Sequence, residues 1–238
     1  MTLILSLACA DGLVVASDSQ ATFHTAGQPV KTTETKLFRM RDAAIVWGAS
    51  GDVGVQQKVA SALEAMDPQM LQQSIKRLRP RLVEAVVKVQ KQAATNYIQI
   101  DPAMPSPAVD VLISGQTAGE AWILEVSRNG SDQQHEARGF CAVGSGDILA
   151  YHACESLRHH DIRQQTVFYG QVLAYRVLEA AIRTAALWLG LPIQMWVIGP
   201  GSAESLTEER RRELEDTVAL WKQIEVEMLA EAISRRST

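Results

Sequence analysis

The second residue of the chain is a threonine, and it leads directly into an apolar run over residues 3–7. An initiator methionine is usually removed before a residue as small as threonine, and its removal would make Thr2 the N-terminus. A terminal threonine carries a nucleophile and a base together. Its hydroxyl can attack a carbonyl carbon, and its neutral α-amine can take the hydroxyl proton directly or through a water molecule. The sequence therefore predicts nucleophilic catalysis at Thr2.

Two charged residues stand among apolar, strand-like neighbours. Asp18 follows the second such run and Lys36 lies at the start of a later one. Burial of either charge alone is costly, so we expect the two to pair. One interpretation is an ordinary surface or structural ion pair. In the functional interpretation, the Lys36 cation favours the deprotonated Thr2 hydroxyl and lowers the pKa of the α-amine, while Asp18 keeps Lys36 charged and oriented. Gly48, whose N–H no side chain shields, is a candidate oxyanion donor.

The elements that must position these residues fall into runs of strands and runs of helices. Strands are predicted over residues 3–9, 13–17, 35–40 and 43–47, with a polar stretch over residues 19–28. Helices are predicted over residues 52–66 and 69–95, with a kink or a split at Pro80. Further strands are predicted over residues 109–114, 120–126, 137–143 and 193–198, and further helices over residues 148–157, 167–189 and 203–236. Such segregation favours an α+β fold with stacked sheets.

The composition bounds the class of protein. A chain of 238 residues with 47% hydrophobic and 21% charged residues is typical of one domain, here residues 1–238, with a core over about 2–200 and a C-terminal helical extension over about 203–236. A net charge of -4 argues against a nucleic-acid partner. The cysteines, Cys9, Cys141 and Cys154, are odd in number and lie among apolar residues, as buried thiols in a reducing compartment do. We expect a cytoplasmic protein with no membrane segment.

Two further patterns suggest a metal or a nucleotide only weakly. His152, Cys154, His159 and His160 are close in the sequence but do not have the spacing of a metal site. Gly144-Ser145-Gly146 has neither the third glycine nor the acidic partner of a dinucleotide-binding loop. We therefore predict neither a metal nor an organic cofactor.

The motifs occur in an order that resembles the proteasome β-subunit family of N-terminal-nucleophile threonine proteases. They are Thr2, Asp18, Lys36-Leu37-Phe38, Trp47-Gly48-Ala49-Ser50-Gly51-Asp52 and Gly144-Ser145-Gly146. Residues 16–22 are also similar to HslV peptidase and to small bacterial proteasome homologues, and the resemblance spans about residues 2–200. It implies a four-layer αββα sandwich of two antiparallel sheets, the N-terminal nucleophile hydrolase fold, here with an additional C-terminal helix.

The resemblance also implies a role for each site residue. Thr2 is the nucleophile and its amine the base, Asp18 and Lys36 are the charged pair, Gly48 is the oxyanion donor, and Ser145 hydrogen-bonds the terminal amine. Val46 is expected at the floor of the main specificity pocket, which implies a preference for apolar side chains before the cut bond. The chain departs from the family at Ala186 and Leu189, where the family usually has Asp and Ser.

The family further implies a self-assembling peptidase with its active sites inside stacked homo-oligomeric rings, seven subunits being expected and six the alternative. Peptides or unfolded proteins would be the substrates, and an ATPase partner is left open. Two other functions remain as alternatives. One is a weakly active or inactive ring that serves as a scaffold, and the other is an N-terminal-nucleophile amidase acting on small amides.

Overall fold

The computed structural model describes residues 2–25, 28–100, 107–135 and 137–236, with only the backbone described for residue 100 and for those of residues 23–29 that fall in these ranges. Met1, whose removal the sequence analysis expects, lies outside the described residues. The strands are β1 Ile4–Ala8, β2 Leu13–Ser17, β3 Gln20–Thr25, β4 Gln28–Thr33, β5 Leu37–Arg39, β6 Ile45–Gly51, β7 Val109–Thr117, β8 Glu120–Val126, β9 Asp132–Gln134, β10 Phe140–Val143, β11 Gln194–Gly199 and β12 Ser202–Ser205. The α-helices are α1 Val53–Glu64, α2 Ile75–Ile100, α3 Asp147–Ser156, α4 Val167–Thr184 and α5 Glu208–Arg236.

The strands build two antiparallel five-stranded sheets and a separate hairpin. Sheet I has the order β10-β1-β2-β11-β12, sheet II has the order β5-β6-β7-β8-β9, and β3 pairs with β4 alone. Residues of β1 and β2 pack against α3, α4 and the first half of α5 on one face of sheet I. Residues of β6, β7 and β8 pack against α1 and α2 on the outer face of sheet II. The inner faces of both sheets share a third apolar cluster, which completes the αββα sandwich.

The sandwich explains why the interior strands β1 and β2 of sheet I contain few polar residues. A strand covered on both faces must present apolar side chains in both directions, so it is a continuous apolar run rather than an alternating one. In β1, Ile4 contributes to the cluster between the sheets, whereas Leu5 contributes to the cluster under the helices. The run that follows Thr2 is therefore a central strand of sheet I.

The structure corrects several predicted elements. The polar stretch over residues 19–28 contains β3 and continues into β4. Pro80 neither splits nor ends α2, which is one helix with Pro80 in its second turn. The C-terminal helix begins at Glu208, because residues 202–205 form β12 at the edge of sheet I. The Thr207 hydroxyl, directly before the helix, accepts a hydrogen bond from the Arg210 N–H at 3.2 Å.

Helix α5 packs on the sandwich only in its first half. Leu214 and Val218 are buried, and Arg176 of α4 stacks on the Trp221 ring with its guanidinium carbon 3.9 Å from the ring centroid. Farther along the helix, the side chains of Ile224 and Met228 are exposed. Other exposed apolar residues of α5 are Leu220, Val226, Leu229 and Ile233. Among the described helices, none is both long enough and apolar enough to cross a membrane.

Candidate active site

Asp18 and Lys36 form the predicted ion pair. Asp18 follows the last residue of β2 and Lys36 precedes the first residue of β5, so the pair joins the end of the middle strand of sheet I to the start of an edge strand of sheet II. Lys36 Nζ lies 2.7 Å from Asp18 Oδ1, and it also donates to the Gln20 carbonyl oxygen at 2.7 Å. Burial lowers the pKa of Lys36 from its ordinary value, and the attraction and hydrogen bond of Asp18 oppose part of that shift.

The Asp18 carboxylate also binds backbone from distant parts of the chain. Its Oδ1 accepts from the Leu3 N–H at 3.0 Å, and its Oδ2 accepts from the N–H groups of Gln20 at 3.0 Å and Gly190 at 3.3 Å. Asp18 itself is fully buried. Both oxygens are therefore used, and Oδ1 holds the Lys36 ammonium next to the peptide that links Leu3 to Thr2.

Thr2 lies half-buried immediately before β1, with its main chain fixed by the turn after β10. Its nitrogen donates to Ser145 Oγ at 3.3 Å, and its carbonyl oxygen accepts from the Gly146 N–H at 3.2 Å. Gly144 has φ +105°, and a Cβ there would come within 2.2 Å of the Thr2 carbonyl oxygen. Only glycine allows so close an approach in this backbone conformation. The structure thus brings Ser145 to the Thr2 nitrogen.

Gly48 occupies the middle of β6, opposite Leu37 of β5 and Leu112 of β7. A Cβ at Gly48 would lie 2.6 Å from the Lys36 carbonyl oxygen, so glycine is needed for the close pairing of these strands. This observation gives a packing reason for the glycine. The assignment of its N–H as the oxyanion donor stays a prediction.

A cleft of about 640 Å³ opens beside Thr2 and Lys36. Phe38 and Trp47 lie opposite each other in β5 and β6, and their ring centroids are 5.2 Å apart. Phe38 is 41% exposed, whereas Trp47 is only 3% exposed, so Phe38 forms the accessible edge of the pair. The other residues that line the cleft are Ala21, Thr22, Glu34, Thr35, Ala49, Gly51, Val53, Gln56, Gln57 and Ala60.

Val46 does not line this cleft, which corrects its expected place at the pocket floor. Its side chain is fully buried in the cluster between the two sheets. Successive residues of a strand point to opposite faces, so its neighbour Trp47, together with Ala49, faces the helices and the cleft. If the comparison with the family is offset by one residue, the pocket-floor role is assigned to a residue on the opposite face of β6.

The segment where the family usually has Asp and Ser supports the site through its backbone. The Ala186 and Leu187 carbonyl oxygens accept from Lys31 Nζ at 3.0 Å and from Gln20 Nε2 at 3.1 Å. Leu189 is buried, and Gly190 donates to Asp18, as described above, and accepts from the Ser19 N–H at 3.0 Å. The departures at Ala186 and Leu189 therefore remove side-chain polar groups and leave backbone hydrogen bonds in their place.

Sequence reasoning missed the roles of Gln20 and Gln194. Gln20 links Lys36, through its carbonyl oxygen, to Leu187, through its side-chain amide. Gln194 Oε1 accepts from the Lys36 N–H at 2.9 Å, and its Nε2 donates to the Glu34 carbonyl oxygen at 2.5 Å. The only sequence signal for Gln20 is its place two residues after Asp18, and Gln194 has none.

The sandwich, and a threonine held at the start of its central strand beside a buried Asp–Lys pair, define a proteasome-type fold. A family model described as Proteasome subunit matches residues 2–187, and the chain belongs to this family. No curated protein matches this chain.

The fold is similar to solved structures of Anbu, an ancestral beta-subunit. Anbu from Yersinia bercovieri is 18% identical with a TM-score of 0.73, and the alignment covers 96% of this chain and 97% of that chain. A helical assembly of the Anbu complex from Pseudomonas aeruginosa is 19% identical with a TM-score of 0.73 and 96% coverage of both chains. A Gly-1 mutant of Anbu from Hyphomicrobium sp. strain MC1 is 16% identical with a TM-score of 0.68, and covers 98% of this chain and 97% of that chain. At these identities the likeness establishes the fold alone.

Proposed function

We propose that the chain is a proteasome-like threonine endopeptidase whose nucleophile is Thr2, exposed by removal of Met1. One observation carries the proposal. The Thr2 nitrogen meets Ser145 Oγ at 3.3 Å, Lys36 and the Leu3 N–H share Asp18 Oδ1, and Thr2 and Lys36 line one cleft. A hydroxyl, an amine and a buried cation are thereby placed within one small region. These are the components that a terminal threonine needs to act as its own base.

In the first half of the reaction, Thr2 Oγ1 attacks the carbonyl carbon of the scissile peptide bond and the neutral α-amine takes its proton. The Gly48 N–H stabilises the oxyanion that forms. Collapse of this tetrahedral intermediate breaks the C–N bond, and the protonated α-amine returns its proton to the departing amine. The N-terminal fragment of the substrate remains as an ester on Thr2.

In the second half, water attacks the ester carbonyl carbon while the α-amine takes a proton from the water. Collapse of this intermediate breaks the bond between the carbonyl carbon and Thr2 Oγ1, the protonated α-amine returns its proton to Oγ1, and the fragment leaves as a carboxylic acid. The Lys36 cation favours the negatively charged oxygen of Thr2 and disfavours protonation of the amine. Ser145 accepts a hydrogen bond from the amine and so directs its lone pair towards Oγ1. Asp18 acts indirectly, because it holds Lys36 and the strand that carries Thr2.

The cleft supports a preference for apolar or aromatic side chains before the cut bond. Phe38 and Trp47 present one aromatic wall, and Ala49 and Ala60 leave open space beside it. Aromatic and aliphatic groups gain free energy by leaving water for such a surface. The apolar preference expected from the sequence is therefore retained, with Trp47 and Ala49 in place of Val46.

Self-assembly is the second part of the proposal, because a peptidase of this type is confined by its oligomer. The exposed apolar side chains in the second half of α5, together with the helical assembly of the Pseudomonas relative, support contacts between copies of the chain. We expect stacked rings of seven or six subunits or an open helical arrangement. Peptides or unfolded proteins are the substrates and enter the interior of this oligomer. We assign no regulator or ATPase partner. The buried free thiols Cys9, Cys141 and Cys154 agree with action in the cytoplasm.

An inactive scaffold is the main competing function. It is favoured by Ala186 and Leu189, because polar support that the family usually provides near the threonine is missing. A small-amide hydrolase is the other competitor and would use the same nucleophile. Covalent reaction at Thr2 distinguishes the proposed peptidase from a scaffold. Hydrolysis of peptides, as opposed to small amides, distinguishes it from an amidase.

The deciding experiment is an intact mass spectrum before and after exposure to a peptide epoxyketone, which needs both the hydroxyl and the free amine of a terminal threonine. We expect loss of Met1 and one adduct per chain, together with hydrolysis of apolar fluorogenic peptides. Both should vanish in Thr2→Ala and persist in the matched control Thr95→Ala, which changes an exposed threonine of α2 that does not line the cleft. Retained Met1, or a free Thr2 that forms no adduct, would favour the scaffold. Turnover of small amides without peptides would favour the amidase.

A further inference from the structure

A second group of reactive side chains lies apart from Thr2, where the two sheets meet. Glu125 of β8, His135 just after β9 and Cys141 of β10 place one oxygen, one nitrogen and one sulfur within 4.8 Å of one another. Glu125 Oε2 is 2.8 Å from His135 Nε2 and 3.7 Å from Cys141 Sγ. His135 and Cys141 are buried, and the Glu125 side chain is 23% exposed.

These donor atoms have the types and the spacing of a zinc site. Zinc binds thiolate sulfur at about 2.3 Å and imidazole nitrogen or carboxylate oxygen at about 2.0–2.2 Å in a tetrahedron, which puts ligand atoms about 3.3–3.8 Å apart. The Glu125–Cys141 distance already lies in that range, and the Glu125–His135 contact needs to open by about 0.5 Å. A thiolate and a carboxylate together neutralise a divalent cation, and the mixed sulfur, nitrogen and oxygen set favours zinc over magnesium or calcium.

The surroundings fix the ligands and leave a path to them. The backbone N–H of His135 donates to the Ile123 carbonyl oxygen at 3.0 Å, so the main chain of the histidine is held against β8 next to Glu125. Ser127 Oγ donates to the other oxygen of Glu125 at 3.1 Å. The Tyr151 hydroxyl lies 3.9 Å from Cys141 Sγ. Such outer contacts orient metal ligands, and the exposed edge of Glu125 gives an ion access.

We propose that Glu125, His135 and Cys141 bind one zinc ion, with a fourth position open to water or another ligand. The ion replaces the thiol proton of Cys141, which is released to solvent, and it takes the place of the hydrogen bond between His135 and Glu125. The sequence alone predicts no metal, and its weak candidate ligands do not form such a group among the described residues: His152, Cys154, His159 and His160.

The position of the ion gives it a structural role. Glu125 belongs to sheet II and Cys141 to sheet I, so the ion cross-links the two sheets of the sandwich. Cys141 pairs with Ser6 of β1, the strand that follows Thr2, and β10 ends at Val143, directly before Gly144, which is three residues and about 10 Å from Cys141. Zinc binding therefore stabilises the strand that leads to the turn with Ser145, and it does so whether or not Thr2 is catalytic.

The test uses the untagged, full-length protein after removal of metal with a chelator. We expect one zinc ion per chain by elemental analysis after dialysis against zinc, and a melting temperature about 5–10 °C higher at a free zinc concentration near 100 times Kd. Cobalt in place of zinc should give a thiolate-to-metal charge-transfer band. The band requires a sulfur ligand, so it reports on the wild-type protein without any substitution.

Variants then assign the ligands. Cys141→Ser should lose the cobalt band and at least tenfold in zinc affinity, and Glu125→Gln should weaken binding while it keeps the fold. Cys154→Ser, a buried cysteine in a different cluster, is the matched control and should bind as the wild type does. No binding by the wild type, no thiolate band, or a band that is lost in Cys154→Ser and retained in Cys141→Ser would overturn the proposal. Activity at Thr2 is not a readout, so the two proposals fail independently.

Discussion

Replacement of Asp18 by Asn should destabilise the protein more than removal of its partner Lys36. The carboxylate accepts on both oxygens, from the Leu3 N–H and Lys36 on one side and from the Gln20 and Gly190 N–H groups on the other. An asparagine has only one oxygen, so its NH₂ group must face N–H donors on one of the two sides. Asp18→Asn therefore loses hydrogen bonds and leaves the buried Lys36 ammonium without its counter-charge. Lys36→Met leaves the carboxylate with its backbone N–H donors.

The two changes differ in expected size. Removal of one member of a buried ion pair costs about 3–5 kcal/mol when the other charge is left unpaired. Lys36→Met loses the hydrogen bonds of the ammonium to Asp18 and to the Gln20 carbonyl oxygen, but it also removes the cost of burying that charge. Because Asp18 stays solvated by N–H groups, the expected net cost is about 1.5–3 kcal/mol, the size of one hydrogen bond to a charged group. At about 2–4 °C per kcal/mol for a chain of this size, Asp18→Asn should melt roughly 6–20 °C lower and Lys36→Met roughly 3–12 °C lower.

Melting curves at one fixed protein concentration measure the difference, since oligomers melt in a concentration-dependent way. Glu84→Gln is the matched control, because it breaks the exposed Arg81–Glu84 pair, which should hardly change the melting temperature. If Lys36→Met melts at or below the temperature of Asp18→Asn, then the main role of Asp18 is not to bind the backbone around Thr2. In that case the described hydrogen bonds do not govern the stability of the site.

Three further predictions concern activity. Lys36→Met should abolish peptide turnover while the oligomer, measured by mass photometry, stays assembled. Because burial lowers the folded-state pKa of Lys36 from its ordinary value of 10.5, the unfolded chain binds more protons between these two values. Wild-type stability relative to Lys36→Met should then rise with pH in that window while activity falls, and an activity that rises with pH there would contradict the role of the cation. Phe38→Ala should raise KM for apolar peptides roughly three- to tenfold with kcat little changed, and an unchanged KM would exclude Phe38 from binding. Ser145→Ala should lower kcat roughly tenfold with KM unchanged, measured at saturating peptide, and full activity would show that the amine needs no acceptor there.

The chemistry of the site could be predicted from the sequence more completely than the elements around it. A charged residue in a buried strand needs a partner, so Asp18 and Lys36 could be paired without coordinates. The strands β3 and β4 could not be found in the same way. They pair only with each other, and their polar composition lacks the apolar alternation that marks a half-buried strand. The three- and four-residue strands β9 and β12 sit at sheet edges and are too short to show a period.

One wrong assignment at the site and one omission away from it have specific causes. Val46 was assigned from an alignment, and in a strand an offset of one residue exchanges the face that meets the cleft for the face that meets the other sheet. The polar group at Glu125, His135 and Cys141 was missed because its members come from β8, the turn after β9 and β10. Their spacing of ten and six residues has no standard ligand pattern, and only the meeting of the two sheets brings them together.

The hydrogen bonds of Asp18 also determine when during synthesis the nucleophile can work. Leu3, Asp18 and Gly190 are made at very different times by a ribosome, and the contact from Gly190 to Asp18 spans 172 residues. A nascent chain that lacks its last fifth has the hydroxyl of Thr2 but not the segment that completes the support beside it. Under the proposed function, proteolytic competence would therefore be acquired only near the end of translation, when residues from both ends of the chain have met.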